Sequence, residues 1–412
     1  MSSMGVRPPD QHFKMSTRDP NPVNYTCTCP CSKAAAEAGA VLLFYRYFSA
    51  PPALPFDITP ARLQELQSFH QTLVTDLQLG CKIRLSTEGF NITIGGTKEG
   101  IESYIAACIP HWSFASLPLS TPQDVDAFFK PSRGCACVFA GKQDVLIKAE
   151  ITPLGVTNWL PKDWDVVKEL SPPEWHRRVA KEENITMVDV RNHYESRLGY
   201  FVGKSGQPAI RPAVRRFGQW PAYVKMAVND RVFGSRIADA QAVATTTTTE
   251  QQSVFTYCTG GIRCEKGARW LAEEMNRTAN PEHPAADVYT LRGGIAAYLT
   301  WMEAEIAAGR MRPSDSLYRG RNFVFDARGS LGLDGSEKVA ACVECAKPGD
   351  GIRKCTSAGC YLVLVVCDDC SDVRCCTDCR DMDAARAAPP RRMCDCEKAR
   401  ETSLWGKQAK VK

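Results

Sequence analysis

The 412-residue chain lacks a long hydrophobic run, since no stretch approaches the roughly 20 apolar residues that a membrane helix requires. Residues 1–24 are polar and contain prolines, without the apolar core of a secretory signal. The chain also lacks a strong charge bias, because its net charge of +5 permits an acidic partner such as RNA without requiring one. We therefore expect a cytoplasmic protein with no membrane contact, in which thiols stay reduced.

Cysteine is abundant and unevenly distributed. The chain has 20 cysteines, and 11 of them lie between Cys342 and Cys396. In a reducing compartment such a cluster predicts metal ligation instead of disulfides. Eight of these residues form four closely spaced pairs, namely Cys342, Cys345, Cys355, Cys360, Cys367, Cys370, Cys376 and Cys379.

Four thiolates make a closed tetrahedral zinc site, so the four pairs predict two structural zinc ions. The first and third pairs would share one ion and the second and fourth the other, although sequential pairing fits nearly as well. Iron–sulfur ligation is a further alternative. Cys375 is expected to be spare, and the sequence assigns no role to Cys27, Cys29, Cys31, Cys394 or Cys396.

A second signal lies in the middle of the chain. A short apolar run, Val254-Phe255, precedes a glycine-rich loop and a helical pattern from Gly267 to Met275. A cysteine in such a loop receives backbone N–H groups and the positive end of the helix dipole, which favour the thiolate. Cys258 is therefore the predicted nucleophile, and the loop after it consists of Thr259, Gly260, Gly261, Ile262 and Arg263.

The spacing of five positions from Cys258 to Arg263 makes a small cradle, which suits one sulfur atom better than a tetrahedral phosphate. This loop resembles the active-site loop of the rhodanese superfamily, whose cysteine carries a persulfide. Arg263 would either stabilise negative charge on the substrate or pin the loop through backbone carbonyls. Cys264 would be a resolving thiol or second catalytic group, or else a small apolar residue in the first helical turn.

The order of predicted elements indicates an α/β protein with several modules. Two helices alternate with strands in the order β-α-β-β-α-β over residues 36–160, including strands at Val138–Ala140 and Val145–Ile147, which predicts a ferredoxin-like (acylphosphatase-like) α+β sandwich. Residues 161–173 are expected to be a linker. Alternating strands and helices then predict a parallel sheet over residues 170–312. The remaining expectations are disorder over residues 1–35, a small zinc-binding module over 313–385 and a flexible tail over 386–412.

Beyond these local features, the chain resembles the tRNA uridine hydroxylase family of rhodanese-fold proteins, and in particular its eukaryotic thiosulfate-sulfurtransferase-like relatives with a Cys-rich C-terminus. The resemblance implies RNA as substrate and molecular oxygen as co-substrate, since the bacterial relatives install 5-hydroxyuridine at the wobble position of tRNA. The motifs that carry it are Ser86–Asn91, Val188–Asn192 with Tyr194-Glu195, Cys258–Lys266, Leu291–Ile295 and Gly320–Asp326.

Two further groups of residues are candidate sites. Asp189 and Arg191 end a predicted buried strand, where a charged pair is more often structural, with Glu195 as a possible third member. Phe217, Trp220 and Tyr223 lie within a basic stretch. In one interpretation the aromatic rings stack on bases and the basic side chains contact phosphates. In the other, the basic side chains form a solvated surface and the aromatic rings belong to the core. The RNA-binding candidates are Lys204, Arg211, Arg215, Arg216, Lys225, Arg231 and Arg236.

Three functions follow from these observations. The first is oxygen-dependent hydroxylation of the wobble uridine of tRNA, with Cys258 as nucleophile. The second is sulfur transfer from thiosulfate or a persulfide donor to a small acceptor, which predicts turnover without RNA. The third is a non-catalytic scaffold that docks a partner through the zinc module, which an intact Cys258 loop disfavours.

Overall fold

The computed structural model describes residues 39–156, 159–182, 184–233, 253–280, 285–360, 362–385 and 392–405. The segment 1–35, Arg236 and the N-terminal cysteines lie outside these residues. The chain divides into an N-terminal unit, which ends at Pro153 and includes Asp326–Arg328, and a C-terminal unit of Leu154–Phe325 and the residues from Gly329 onward. Among the described residues, no helix combines the length and the apolar character that spanning a membrane demands.

The N-terminal unit is a mixed five-stranded sheet with helices, and its predicted β-α-β-β-α-β order is confirmed. The sheet order is β4-β1-β3-β2-β5, with β5 parallel to β2 at one edge and the short β4 antiparallel to β1 at the other. The strands are β1 Gly39–Tyr47, β2 Gly80–Ser86, β3 Gly89–Thr97, β4 Ser132–Arg133 and β5 Gln143–Ile147. The helices are α1 Pro60–Asp76, α2 Lys98–Cys108 and α3 Pro122–Phe129.

Two local expectations for the N-terminal unit are wrong. The predicted strand at Val138–Ala140 is a 3-10 turn over Ala136–Phe139, whose Val138 and Phe139 side chains are buried. A three-residue apolar run fits a buried turn as well as a strand, so periodicity alone does not separate the two. Cys135 and Cys137 are paired as a disulfide, although the sequence favoured thiols, because this turn brings their Cα atoms within 5.5 Å.

The C-terminal unit is built on a four-stranded parallel sheet, as predicted, in the order β6-β10-β9-β7. Its strands are β6 Val167–Leu170, β7 Ile185–Asp189, β9 Ser253–Tyr257 and β10 Asp287–Leu291, and the short β8 Gly199–Phe201 pairs with β11 Tyr318–Gly320. Its helices are α4 Pro172–Lys181, α5 Glu195–Leu198, α6 Trp220–Asn229, α7 Ile262–Thr278 and α8 Gly294–Ala307.

The edge strand β6 lies inside the expected linker, so that expectation is wrong. Lys168 and Glu169 at its centre are exposed and only its two ends are buried, which leaves little of the apolar pattern of a strand. The two faces of the sheet carry separate cores, one around Trp220 and Leu271 and the other around Trp175 and Tyr298. The central strand β9 is buried along its whole length. The residue that follows it, Cys258, therefore lies at the end of a strand that is covered on both faces of the sheet.

The Cys-rich module follows with strands of two or three residues. Strand β12 Asn322–Phe323 pairs with β13 Ser330–Leu331, and β14 Ile352–Lys354 pairs antiparallel with β15 Val363–Val365. Helix α9 spans Thr377–Ala384, and helix α10 spans Asp395–Trp405. The segment expected to be a flexible tail thus contains a helix, whose Arg400 donates a 2.9 Å hydrogen bond to the main-chain oxygen of Ala213.

Candidate active site and cysteine clusters

Cys258 lies directly after β9 and four residues before the first residue of α7. In a parallel sheet the carboxyl ends of the strands are the usual place for a reactive group. The Gly261 N–H donates a 3.2 Å hydrogen bond to the Cys258 sulfur. Gly261 has a φ of +99°, which a side chain would strain, and this conformation turns its N–H toward the sulfur.

The Cys258 thiol is fully buried, and burial by itself would oppose its ionisation. The hydrogen bond from the Cys264 thiol, the charge of Arg263 and backbone N–H groups of the loop outweigh burial, and together they lower the Cys258 pKa to about 6. Burial and the hydrogen bond to Cys258 instead raise the pKa of Cys264. The two pKa values are therefore shifted in opposite directions, and the thiolate is favoured at Cys258, the predicted nucleophile.

Arg263 is held by Glu195 through two hydrogen bonds of 2.6 Å each. Its guanidinium also donates a 3.0 Å hydrogen bond to the Thr259 hydroxyl, which in turn donates to Glu195 at 3.2 Å. Both charged side chains are buried. Because Glu195 lies in α5 and Arg263 in α7, these hydrogen bonds hold the Cys258 loop in place from a different segment of the chain. Of the two roles considered for Arg263, the contacts support pinning the loop, through a carboxylate and a hydroxyl in place of backbone carbonyls.

Glu195 consequently is not a third member of the Asp189–Arg191 pair. Arg191 makes bidentate contacts with Asp189, at 2.9 and 2.6 Å, and donates to the main-chain oxygen of Gly199 at 2.6 Å. Both side chains of this pair are fully buried and lie at the end of β7. The pair therefore ties β7 to the β8 segment, which agrees with the structural interpretation.

The first turn of α8 contacts the Cys258 loop from the side of β10. The N–H groups of Ile295 and Ala296 donate to the main-chain oxygens of Cys258 and Thr259 at 2.9 and 3.0 Å. Gly294 has a φ of +65°, and a Cβ there would lie 2.5 Å from the Cys258 oxygen and 2.7 Å from the Gly261 nitrogen. The Gly293-Gly294 pair after a strand was the available signal for this contact, but it was not interpreted as part of the site.

An exposed aromatic ring completes the surroundings of Arg263. Phe325 is 48% exposed, and its ring centre lies 5.7 Å from the Arg263 guanidinium carbon. Phe323 packs edge-on against Phe325 at 5.0 Å and against Tyr194 at 5.5 Å. No sequence pattern predicts this aromatic row, because Tyr194 comes from a different segment of the chain than Phe323 and Phe325.

The basic stretch is divided by the fold. Phe217, Trp220 and Tyr223 are buried in the core, so their faces do not serve as stacking surfaces for bases. Arg215 is partly buried and paired with Glu397. Arg216 and Lys225 are likewise partly buried, whereas the exposed candidates in the described part of the stretch are Lys204, Arg211 and Arg231.

Four cysteines of the C-terminal module form a first cluster, whose sulfur atoms all lie within 4.8 Å of one another: Cys342, Cys345, Cys367 and Cys370. The β14–β15 hairpin explains this grouping. Val343, between the first two ligands, donates to the main-chain oxygen of Val365 at 3.0 Å, so the first and third pairs meet at one end of the hairpin. The second pair, Cys355 and Cys360, lies at the turn, which is the other end of the hairpin. The hairpin therefore brings the first and third pairs together and keeps the second pair apart from the first.

The turn end of the hairpin gathers a second set of thiols, in which Cys355 and Cys360 join Cys375 and Cys379 within 4.8 Å. Cys375, which was expected to be spare, occupies the position predicted for Cys376. The backbone N–H of Cys375 donates to the Cys355 sulfur at 3.4 Å, which draws Cys375 inward. Each set contains the four thiolates that a tetrahedral zinc ion requires, so both fit the predicted metal.

Comparison with known families agrees with this arrangement. Residues 39–151 match the family described as "UPF0176 acylphosphatase like domain". Residues 319–380 match the family described as "Rhodanase C-terminal". The two matches fall on the mixed sheet and on the cysteine-bearing module, respectively.

Similar proteins extend over most of the chain. The tRNA uridine(34) hydroxylase of Synechocystis sp. is 30% identical over 309 residues, which cover 72% of this chain and 91% of that protein. The tRNA uridine(34) hydroxylase of Chlamydia caviae is 27% identical over 335 residues, covering 79% of this chain and 83% of that protein. The rhodanese-like domain-containing protein 6 of Arabidopsis thaliana is 26% identical over 358 residues, and the match spans 53% of its length.

Proposed function

The chain belongs to the tRNA uridine(34) hydroxylase (UPF0176) family, and we propose that it hydroxylates C5 of the wobble uridine of tRNA with molecular oxygen. The observation that carries the proposal is the Cys258–Cys264 pair at the end of a buried parallel strand, in which the pKa of Cys258 is lowered and that of Cys264 is raised. Such a pair supplies both a nucleophile and two reducing equivalents.

The nucleophile would act on the pyrimidine ring. Addition of the Cys258 thiolate to C6 of uracil forms an S–C6 bond and places the electron pair of the C5–C6 double bond on C5. C5 then bonds to molecular oxygen and, after protonation, carries a hydroperoxide. Neutral uracil becomes reactive toward oxygen only after this addition, which is why a thiolate formed at about pH 6 is needed.

The second thiol would close the redox balance. Cys264 attacks the distal oxygen of the hydroperoxide, which leaves a C5 hydroxyl and converts Cys264 to a sulfenic acid. Loss of the C5 proton expels Cys258 and restores the double bond, and Cys258 then displaces water from Cys264 to form a disulfide. In total, one uridine, one oxygen molecule and two thiols give one 5-hydroxyuridine, one water molecule and one disulfide.

Phe325 is the proposed stacking surface for the target base. Its exposed ring lies next to Arg263, one residue before Cys264, and stacking on an aromatic ring is a common way to hold an unpaired base. The exposed Lys204, Arg211 and Arg231 are the proposed phosphate contacts. The buried aromatics of the basic stretch are not part of this proposal.

The decisive test is deletion of the gene followed by mass spectrometry of nucleosides from bulk tRNA. Wild type should restore 5-hydroxyuridine, whereas Cys258→Ser should not. Cys81→Ser, which alters a buried thiol of the N-terminal unit, is the matched control and should restore it. Unchanged nucleosides in the deletion strain would remove the hydroxylase proposal.

The dithiol step has its own test. A single turnover of purified protein without added reductant should yield one Cys258–Cys264 disulfide for each 5-hydroxyuridine. A Cys264→Ser variant that hydroxylates at the wild-type rate under the same conditions would refute the role of Cys264 but not that of Cys258.

Sulfur transfer is the second candidate, and the 3.2 Å contact from the Gly261 N–H to the Cys258 sulfur favours it, since the same donor would hold a persulfide. This activity predicts transfer of sulfur from thiosulfate to cyanide in the absence of RNA, abolished by Cys258→Ser. Turnover with thiosulfate and unchanged tRNA nucleosides together would establish it in place of hydroxylation.

A further inference from the structure

The cysteines at the turn end of the β14–β15 hairpin are more numerous than one zinc ion can use. Two groups of four thiols, each with all sulfur atoms within 4.8 Å, overlap there. One group is Cys355, Cys360, Cys375 and Cys379, and the other is Cys375, Cys376, Cys379 and Cys394. The groups share two members, so they contain six different cysteines.

Cys375 lies at the centre of the six. Its sulfur is 3.4 Å from that of Cys379, 3.6 Å from Cys394, 3.7 Å from Cys376 and 3.8 Å from Cys360. With Zn–S bonds of about 2.3 Å, the corners of a regular ZnS4 tetrahedron are about 3.8 Å apart. The Cys375 sulfur therefore has the spacing of a corner common to two adjacent tetrahedra.

One zinc ion would leave two of these thiols without a ligand role in a closely packed cluster, since structural zinc takes four ligands. Two tetrahedra that share an edge need six sulfur atoms, because four plus four minus the two shared corners is six. We propose that the six cysteines hold a binuclear zinc cluster in which Cys375 and Cys379 bridge the two ions. Together with the first cluster, the module would bind three zinc ions, and each thiol would lose its proton on binding.

The surrounding chain supports this geometry. Cys376 directly precedes α9 and Cys379 lies in its first turn, where the positive end of the helix dipole favours thiolates. Asp378 accepts a hydrogen bond from the N–H of Asp395 at 3.1 Å and pairs with Arg392, which fixes the start of α10 and with it Cys394. Six thiolates and two Zn²⁺ carry two negative charges, and Arg215 is close enough to Cys360 to interact with it electrostatically.

Cys396 provides a matched control. Its sulfur is 3.0 Å from the main-chain oxygen of Cys375, to which it donates, and it belongs to neither group of four. Cys394 and Cys396 lie on the same helix start, two residues apart, so replacing either by serine changes one sulfur atom in the same local environment. The proposal predicts different zinc contents for the two variants, because only Cys394 would be a zinc ligand.

Metal content of the purified full-length chain tests the stoichiometry. Elemental analysis should find about three zinc ions per chain in wild type and in Cys396→Ser, and about two in Cys394→Ser. Two ions in wild type, an unchanged content in Cys394→Ser, or iron with acid-labile sulfide at these cysteines would each overturn the binuclear zinc cluster.

Cadmium substitution tests the bridges without relying on a variant that folds. In the chain loaded with ¹¹³Cd, two of three resonances should show cadmium–cadmium scalar coupling through the shared sulfur atoms, and the third, from the first cluster, should show none. Three uncoupled resonances would contradict the bridges. Retention of the uncoupled resonance in Cys394→Ser would show that this variant is folded in the rest of the module.

Discussion

The Glu195 carboxylate accepts two 2.6 Å hydrogen bonds from the Arg263 guanidinium. The Glu195 side chain is 0% exposed and the Arg263 side chain is 8% exposed. Arg263 follows Ile262, the first residue of α7, whereas Glu195 begins α5 after strand β7. The ion pair therefore joins the Cys258 loop to a neighbouring segment of the sheet. It holds the Arg263 guanidinium in place, and the Arg263 charge lowers the pKa of Cys258.

Removal of the Glu195 charge should be strongly destabilising. Glu195→Gln leaves the buried Arg263 guanidinium without its counter-charge, and breaking a buried pair in this way costs about 3–5 kcal/mol. Glu182→Gln is the control, since the Glu182–Arg178 pair is partly exposed and worth at most about 1 kcal/mol. Urea unfolding measures both, and equal losses in the two variants would contradict a buried pair at the loop.

The reactivity of Cys258 should depend on pH with a midpoint near 6. Because its pKa is lowered to about 6, the thiol form dominates below that pH and the thiolate above it, so alkylation by iodoacetamide should rise through pH 6 and then level off. Cys264→Ala removes a hydrogen-bond donor and should move the midpoint to higher pH. Cys81, whose pKa burial raises to about 12, should show no such rise in the same experiment.

Gly294→Ala should disturb the Cys258 loop by more than the cost of placing alanine at a positive φ. The new Cβ would meet the Cys258 oxygen at 2.5 Å, so the loop must shift, and misplacement of a nucleophile lowers turnover on the order of 100-fold. Gly309→Ala has a similar φ of +69° but nothing within 4 Å, so it should cost only about 1–2 kcal/mol of stability and leave turnover unchanged. Similar turnover in both variants would refute the close contact.

Phe325→Ala should weaken tRNA binding. Loss of one stacked base is worth about 1–3 kcal/mol, which corresponds to a KM for tRNA raised about 5- to 150-fold with little change in stability. Leu160→Ala, at an equally exposed apolar residue of the same unit, should leave KM unchanged. A fall in kcat with KM unchanged would instead place Phe325 outside the base-binding surface.

Chelation of the metal should loosen the Cys-rich module before the parallel sheet. The module has strands of only two or three residues, and many members of its largest apolar cluster are the cysteines themselves, so metal binding would supply much of its folding free energy. Hydrogen exchange should therefore show lost protection in β14 and β15 after treatment with a chelator, while the fully buried β9 stays protected. Unchanged protection in β14 and β15 would show that the hairpin is stable without metal.

Most of the local framework was predictable from the sequence. The parallel sheet, the loop after β9, the closely spaced pairs of cysteines and the β-α-β-β-α-β order are each set by neighbours along the chain, through apolar period, glycine position and cysteine spacing. The strand at Val167–Leu170 and the turn at Ala136–Phe139 were missed because runs of three or four residues carry too little periodic signal.

The tertiary structure decided which distant groups meet. By its place in the sequence, Glu195 could have paired with Arg191 beside Asp189. Instead, α5 packs against the Cys258 loop, and Glu195 accepts hydrogen bonds from Arg263. The antiparallel hairpin selected one pairing of the cysteines and drew in Cys375, since it holds its two ends apart. The sequence by itself thus determined the chemical groups and their local geometry, whereas their partners depend on chain segments that only folding brings within hydrogen-bond or ligand distance.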